Sequence, residues 1–268
     1  MAFTQVQLRA KLLQELGEAI TGTVTTEVDS TTVEDTALGY LGEHENTSKW
    51  LYIPSGDSGA IVRESRKISS FDTSTKRFTL STAFSGAPEV ADAFEISTWT
   101  HSEIERALNN AILKAGLRQT SSDSSLSWIG NTYSYDIPVA ITAYDVYRVE
   151  IQGTPTTIYT ALRMWRRLGD VLQFSGQYTA GKTLRLWYRY PFTAYTTEAS
   201  SWDITDEEAL LVCAWAAVEL YRLLWQRTRK DTREDHAENI RMWLDIASDR
   251  QKQYTPAADT HVMRSWVA

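Results

Sequence analysis

Disulfide chemistry is absent from this sequence. It holds a single cysteine, Cys213, so no internal cross-link can form and nothing marks an oxidising compartment. Histidine is sparse: His44, His101, His236 and His261 lie far apart, none at metal-ligand spacing with Cys213 or another His. Ordinary surface roles are therefore expected for them, with no metal and no cofactor. The longest apolar run, ALLVCAWAAV at 209–218, is too short to span a bilayer, so no membrane partner is expected. The opening MAFTQVQLRAKLLQEL has no apolar block before a cleavage site, which reads as a chain made in the cytoplasm without a secretory signal. There is no P-loop, no GxGxxG opening a helix after a strand, and no period of the length that marks a solenoid.

Cations are also in deficit, 27 Lys and Arg against 34 Asp and Glu. The resulting net charge of −7 argues against a sequence-wide grip on nucleic acid, which requires cations to neutralise phosphates. An acidic surface suits a protein past which DNA slides without sticking. In abundance are aromatics, ten Trp and thirteen Tyr, side chains that concentrate in interfaces as well as cores. The 43% hydrophobic content is that of a folded protein, which excludes wholesale disorder.

Periodicity orders the chain. Thr4 and Gln7 fit a capping box, and Leu8, Leu12, Leu16 and Ile20 form one stripe, predicting a helix ended by Gly22. Residues 21–100 then turn to Thr, Ser, Val and Gly, with short strands GTVTTEV, KWLYI, AIVRESRKISSF, RFTLST and DAFEIST, expected as a small antiparallel barrel or sandwich. Ser102 and Glu105 make a second capping box ahead of Ile104, Ala107, Leu108, Ala111 and Ile112. QTSSDSSLS at 119–127 reads as a solvated loop. A second β region follows, with strands TYSYDI, VYRVEIQ, TALRMWRRL, VLQFSG and KTLRLWYRY. Thr205 and Glu208 cap a long helix that is apolar on nearly every side, and an amphipathic helix runs from about residue 232 to 253 with Ile240, Trp243, Leu244 and Ala247 on one stripe. The expected fold is α+β, an antiparallel helical bundle (1–20, 101–118 and 203–254) with two inserted small antiparallel β modules (21–100 and 126–200) and a tail at 255–268.

Several strings invite chemistry. GDSGA at 56–60 matches the surroundings of a serine-protease nucleophile, but only His44 precedes it and the triad geometry has no other support, so a turn is expected. Cys213 sits among apolar neighbours as a small filler rather than a reactive thiol. Glu207 and Glu208 complement the start of a helix, and the mixed charges of RTRKDTRED at 227–235 form a solvated helical turn. The sharper signal is GKTLRLWYRYPF at 181–192. In a strand, Leu184, Leu186, Tyr188 and Tyr190 share one face, and Arg185, Trp187 and Arg189 the other. Alternation in ALRMWRRL likewise groups Arg163, Trp165 and Arg167, and two such strands side by side would form a Trp and Arg lattice. Those six residues are the candidate subunit interface, favoured over single-stranded nucleic acid because Trp and Arg dominate protein hot spots and the chain is acidic.

The segment RKISSFDTSTKRFTLSTAFSGAPEVADAFEI (66–96) resembles a recurring β module of tailed-phage virion proteins. WRRLGDVLQFSGQYTAGKTLRLWYRYPF, followed by ITDEEALLVCAWAAVELYRLL, is similar to the later half of phage neck proteins. The family implied is that of head–tail connector, or adaptor, proteins. The resemblance implies a non-enzymatic virion protein at the head–tail junction: a homo-oligomeric, dodecameric ring that binds the portal protein above and a downstream tail or neck protein below. Double-stranded DNA would pass through its channel without sequence-specific binding. Such proteins often reach the portal with a C-terminal segment, which here places Val262, Met263, Arg264, Trp266 and Val267 as the docking tail. A tail or baseplate ring component, or a carbohydrate-binding virion protein, remain the alternatives.

Overall fold

The computed structural model describes residues 2–18, 20–38, 47–55, 63–195, 200–228 and 233–254. Along the chain these form β1 (Ala2–Thr4), α1 (Gln5–Glu15), β2 (Ile20–Thr23), β3 (Thr26–Asp29), β4 (Thr32–Glu34), β5 (Trp50–Ser55), β6 (Ser65–Asp72), β7 (Arg77–Leu80), β8 (Ala93–Ser97) and α2 (His101–Lys114). There follow β9 (Arg118–Ser127), β10 (Ser134–Asp136), β11 (Asp145–Gln152), β12 (Tyr159–Ala161), β13 (Trp165–Leu168), β14 (Val171–Phe174), β15 (Thr183–Pro191), β16 (Ser201–Asp203), α3 (Asp206–Arg227) and α4 (Arg233–Tyr254). The fold is mostly β, sixteen strands against four α-helices among the described residues, and the expected helical bundle with small β insertions is overturned. The reason lies in where apolar side chains gather. Each main sheet system closes its own cluster of buried residues, so neither is an appendage of the helices. Two units result, Met1–Ala115 with Ala194–Ala268, and Gly116–Thr193.

In the first unit the sheet order is β2-β8-β5-β6-β7-β4-β3. Only Val24 and Thr25 separate β2 from β3, yet these strands end opposite edges of the order, so the sheet curls and brings the ends of its two edge strands close together. The inward side chains of every wall then share one core, including Leu51, Ile53, Ile68, Phe71, Phe78, Phe94 and Ile96. A bulge between Ile68 and Ser70 resets the alternation of β6, which lets both Ile68 and Phe71 face inward. At Gly22 a Cβ would lie 2.3 Å from Phe94 Cζ and 2.4 Å from Asp35 Oδ2. Close approach therefore explains that glycine, and not the helix stop expected there.

Helix starts follow side-chain oxygens. The boxes of Thr4 with Gln7 and Thr205 with Glu208 are present, whereas α2 is capped by Thr100 with Glu103, two residues before the expected pair. Both pairs have the same spacing, and Thr100 wins because Glu103 also meets Arg227 from α3. The first helix stops at Glu15 because Gly17 takes a positive φ of 69°, and Ile20 belongs to β2 instead of the helical stripe. The middle of α3, from Ala209 to Leu220, is largely buried, and α1, α2 and α4 pack against it.

A polar cluster fixes helices to the curled sheet. On β8, Phe94 and Ile96 face the core, so Glu95 points out of the other face. There Arg9 of α1, 2% exposed, donates from Nε to Glu95 Oε2 at 2.6 Å and from Nη1 to His101 Nδ1 at 2.6 Å. Its guanidinium lies 3.7 Å over the Tyr52 ring, and Tyr52 stacks on His101 with centroids 4.3 Å apart. His101 is thus buried, correcting the expected surface role. Burial, aided by the charges of Arg9 and Arg63, lowers its pKa to about 3. Because a guanidinium only donates, Nδ1 is the bare nitrogen and the proton resides on Nε2, 3.5 Å from Glu105.

The second unit pairs a sheet of order β12-β11-β15-β9 with one of order β10-β14-β13 around Trp128, Tyr135, Val149, Leu172, Phe174, Leu184 and Leu186. QTSSDSSLS, expected as a loop, lies within the ten-residue strand β9, paired along β15. Its polarity hid it, since only Leu126 packs on the core and backbone pairing to β15 supplies the rest.

Two outcomes are expected. Arg9→Ala strands Glu95 without its partner and lowers the stability of the first unit by about 3–5 kcal/mol in urea denaturation, while Arg9→Met with Glu95→Leu recovers most of it. In a nitrogen-15 NMR titration His101 stays neutral, as the Nε2–H tautomer, from pH 7 down past pH 5. In that window the unfolded chain takes up a proton at His101 that the folded chain refuses, so this group works against stability as pH falls. A midpoint near 6.5 would sink the assignment.

Candidate interaction site

Strand β15 has two faces because its side chains alternate. Leu184 and Leu186 are buried in the core of the second unit, while Tyr188 stacks on Tyr144 at 5.5 Å. On the other face stand Arg185, Trp187 and Arg189, all half-buried, as the sequence pattern expects. Antiparallel pairing aligns Glu150 with Arg185 and Arg148 with Trp187, and brings Asp145 opposite Arg189. A bulge between Val146 and Arg148 makes this register possible and displaces Tyr147.

Glu150, 4% exposed, is the centre of that face. The Trp187 indole N–H donates to its Oε2 at 2.8 Å, Arg148 pairs with its Oε1, and Arg185 lies 3.7 Å from Oε2. The guanidinium of Arg185 sits 3.5 Å over the Tyr159 ring, and that of Arg189 sits 4.4 Å over Tyr147. The cations are therefore held in place by carboxylate and aromatic partners before any ligand arrives. Those guanidiniums occupy one face of each tyrosine, which leaves a poor platform for stacked bases or sugar rings. A surface of fixed guanidiniums round a Trp matches carboxylates instead, through charge-assisted hydrogen bonds.

The other half of the expected lattice is corrected. Trp165 and Arg167 lie on β13, which pairs with β14 in the smaller sheet, whereas the neighbours of β15 are β11 and β9. TALRMWRRL is broken into β12 and β13, so its alternation does not run through. Trp165 packs against the core. Arg167 donates to the carbonyl oxygens of Gly169 at 2.7 Å, Thr142 at 2.6 Å and Tyr144, and so ties a hairpin to a loop. Arg163 is exposed.

Reasoning from sequence did not single out Glu150, Arg148, Tyr147 or Tyr159. Outward alternation in VYRVEIQ was the available signal. The register that aims Glu150 at Trp187 depends on the bulge, which no local pattern announces.

Elsewhere, Cys213 is fully buried and its thiol is pushed up to about 12 by burial, as a filler should be. His236 is half-buried. The GDSGA string, His44, His261, and the tail residues Val262, Met263, Arg264, Trp266 and Val267 lie outside the described residues. Among the described residues no group of three His, Cys, Asp or Glu is placed to hold a metal, and no helix is long and apolar enough to cross a membrane. Neither a protein-family model nor a curated protein matches the chain.

Arg167 and Arg163 separate structure from surface. Arg167→Lys, which cannot reproduce a fork onto several carbonyls, lowers the stability of the second unit by about 1–3 kcal/mol. Arg163→Ala shifts it by less than about 0.5 kcal/mol, both read from thermal melts.

Proposed function

We propose that this chain is a non-enzymatic structural subunit of a tailed-phage virion, a head–tail adaptor that assembles as a dodecameric ring beneath the portal, extends the DNA channel and joins head to tail. The observation that carries the reading is the half-covered Arg and Trp face around Glu150. In the first unit the equivalent outward carboxylate, Glu95, is sealed by Arg9, Tyr52 and His101 from the same chain. In the second, the cations round Glu150 keep a third to a half of their surface, 30% for Arg185 and 52% for Arg148. Such a face is finished by a neighbour in an assembly, and Trp and Arg are the residues that dominate such contacts.

Charge supports the same reading. The second unit carries eight Lys and Arg against five Asp and Glu, a net +3, so the remainder of the chain carries −10 within the total of −7. Opposite signs on one chain favour a head-to-tail contact between copies, which closes into a ring when its rotation permits. An acidic ring repels the phosphates of DNA in its channel and leaves the duplex free to move. The two virion-like segments are the curled-sheet strands β6 to β8, and the run from β13 through β15 that continues into α3. This reading needs no helical bundle. The apolar residues Val262, Met263, Trp266 and Val267 supply the portal-docking tail.

Electron microscopy of the purified chain mixed with portal-bearing heads of the same phage tests the proposal. A ring coaxial with the portal is expected. Heads that remain undecorated at saturating protein overturn it.

A further inference from the structure

We infer that the Arg185–Trp187–Arg189 face of one copy receives the outer side of helix α4 of a second copy; this rests on the assembly reading above and names its two surfaces. Helix α4 buries Trp243 and Ala247, which turns the opposite side outward. On that side Glu234, Glu238, Met242, Asp245 and Asp249 are all exposed and recur at steps of four, four, three and four residues, which places them on one stripe. Arg241 and Lys252 edge the stripe, Lys252 being 2.9 Å from Asp249. A methionine lies exposed amid carboxylates on the helix, as a tryptophan lies amid guanidiniums on the sheet.

The two patterns match in chemistry and in length. Glu238 and Asp245 flank Met242 about 10 Å apart along a helix. Arg185 and Arg189 flank Trp187 about 13 Å apart along a strand, and the arginine stems bridge the difference. Met242 then meets the Trp187 ring, a favourable sulfur–aromatic contact, while each guanidinium meets a carboxylate. The guanidiniums need little reordering, since Tyr159 and Tyr147 already hold them. An acidic stripe on α4 and a basic face on the second unit give the chain both halves of the complement. Face against identical face would set arginine on arginine, so the contact is heterologous.

Charge exchange on the full-length chain tests this. Arg185 borders Glu150, so reversal on the sheet is made at Arg189→Glu. On the helix it is made as Glu238→Lys with Asp245→Lys, exposed positions where folding is least at risk. Light scattering at low salt follows self-association. Each variant alone is expected to associate at least about tenfold more weakly than wild type. An equimolar mixture regains association, because the reversed face of one variant fits the reversed helix of the other and their native surfaces fit as well. Raising salt abolishes the recovery. The inference is overturned if wild type stays monomeric at low salt, if either variant associates as wild type does, or if the mixture stays dissociated. It is equally overturned if Arg189→Glu weakens binding of a short DNA oligonucleotide while self-association is untouched. Portals decorated despite such a failure sink this interface alone, whereas undecorated portals sink the assembly reading.

Discussion

A carboxylate taken out of water persists only where a cation and hydrogen-bond donors meet it, and each unit of this chain is organised round one such group. In the first, Glu95 leaves the outer face of β8 and is met by Arg9 from α1. In the second, Glu150 leaves the outer face of β11 and is met by Arg148, Arg185 and the Trp187 indole. Inner faces hold apolar cores; the outer faces carry the ions. Burial of such a pair contributes little net stability, because desolvation offsets most of the attraction. Its effect is on specificity. Arg9 cannot move without abandoning both Glu95 and His101, so the helix has one resting place on the sheet.

The difference between the two ion sites follows from what covers them. Arg9 reaches its carboxylate from a helix, and the helix itself excludes water, which leaves 2% of Arg9 and 6% of Glu95 exposed. Glu150 is reached from neighbouring strands of its own sheet, and strands cannot roof the face they form. The cations therefore remain partly wet, and their attraction is screened by salt on the outer side. A covering element supplied from outside would exclude that water and strengthen every pair beneath it. By this route a packing deficit in one chain would become a contact preference between chains in the assembly proposed above.

Much of the local structure was legible because it depends on nearby residues. Thr4 with Gln7 and Thr205 with Glu208 signal helix starts within four positions, and the strands around Phe78, Phe94 and Leu184 show in their alternation. Where local signals competed, reading failed. Thr100–Glu103 and Ser102–Glu105 have identical spacing, and a distant Arg227 favours the first. Strand β9 carries Ser at half of its ten positions and is a strand only because β15 offers its backbone. The balance of the fold was misread for a related reason: capped helices announce themselves over a few residues, whereas the curl that brings the ends of β2 and β3 near each other from opposite sheet edges is a property of seven strands at once. Of the candidate site, Arg185, Trp187 and Arg189 were visible from one strand. Their organiser, Glu150, was not, since it lies more than thirty residues away across a bulge.

Screening also determines when such a chain associates. At physiological ionic strength charges interact over about 8 Å, so opposite signs on distant surfaces do not hold copies together; only residues in contact do. A face of three cations round one Trp is small, and a single copy binding a single copy would gain little beyond the cost of lost freedom. Copies already held side by side on a template have prepaid that cost, and each contact then becomes effectively intramolecular. Under the assembly proposed above, a chain with an incomplete ionic face in one unit and an acidic excess in the rest would stay dispersed until a template gathers it.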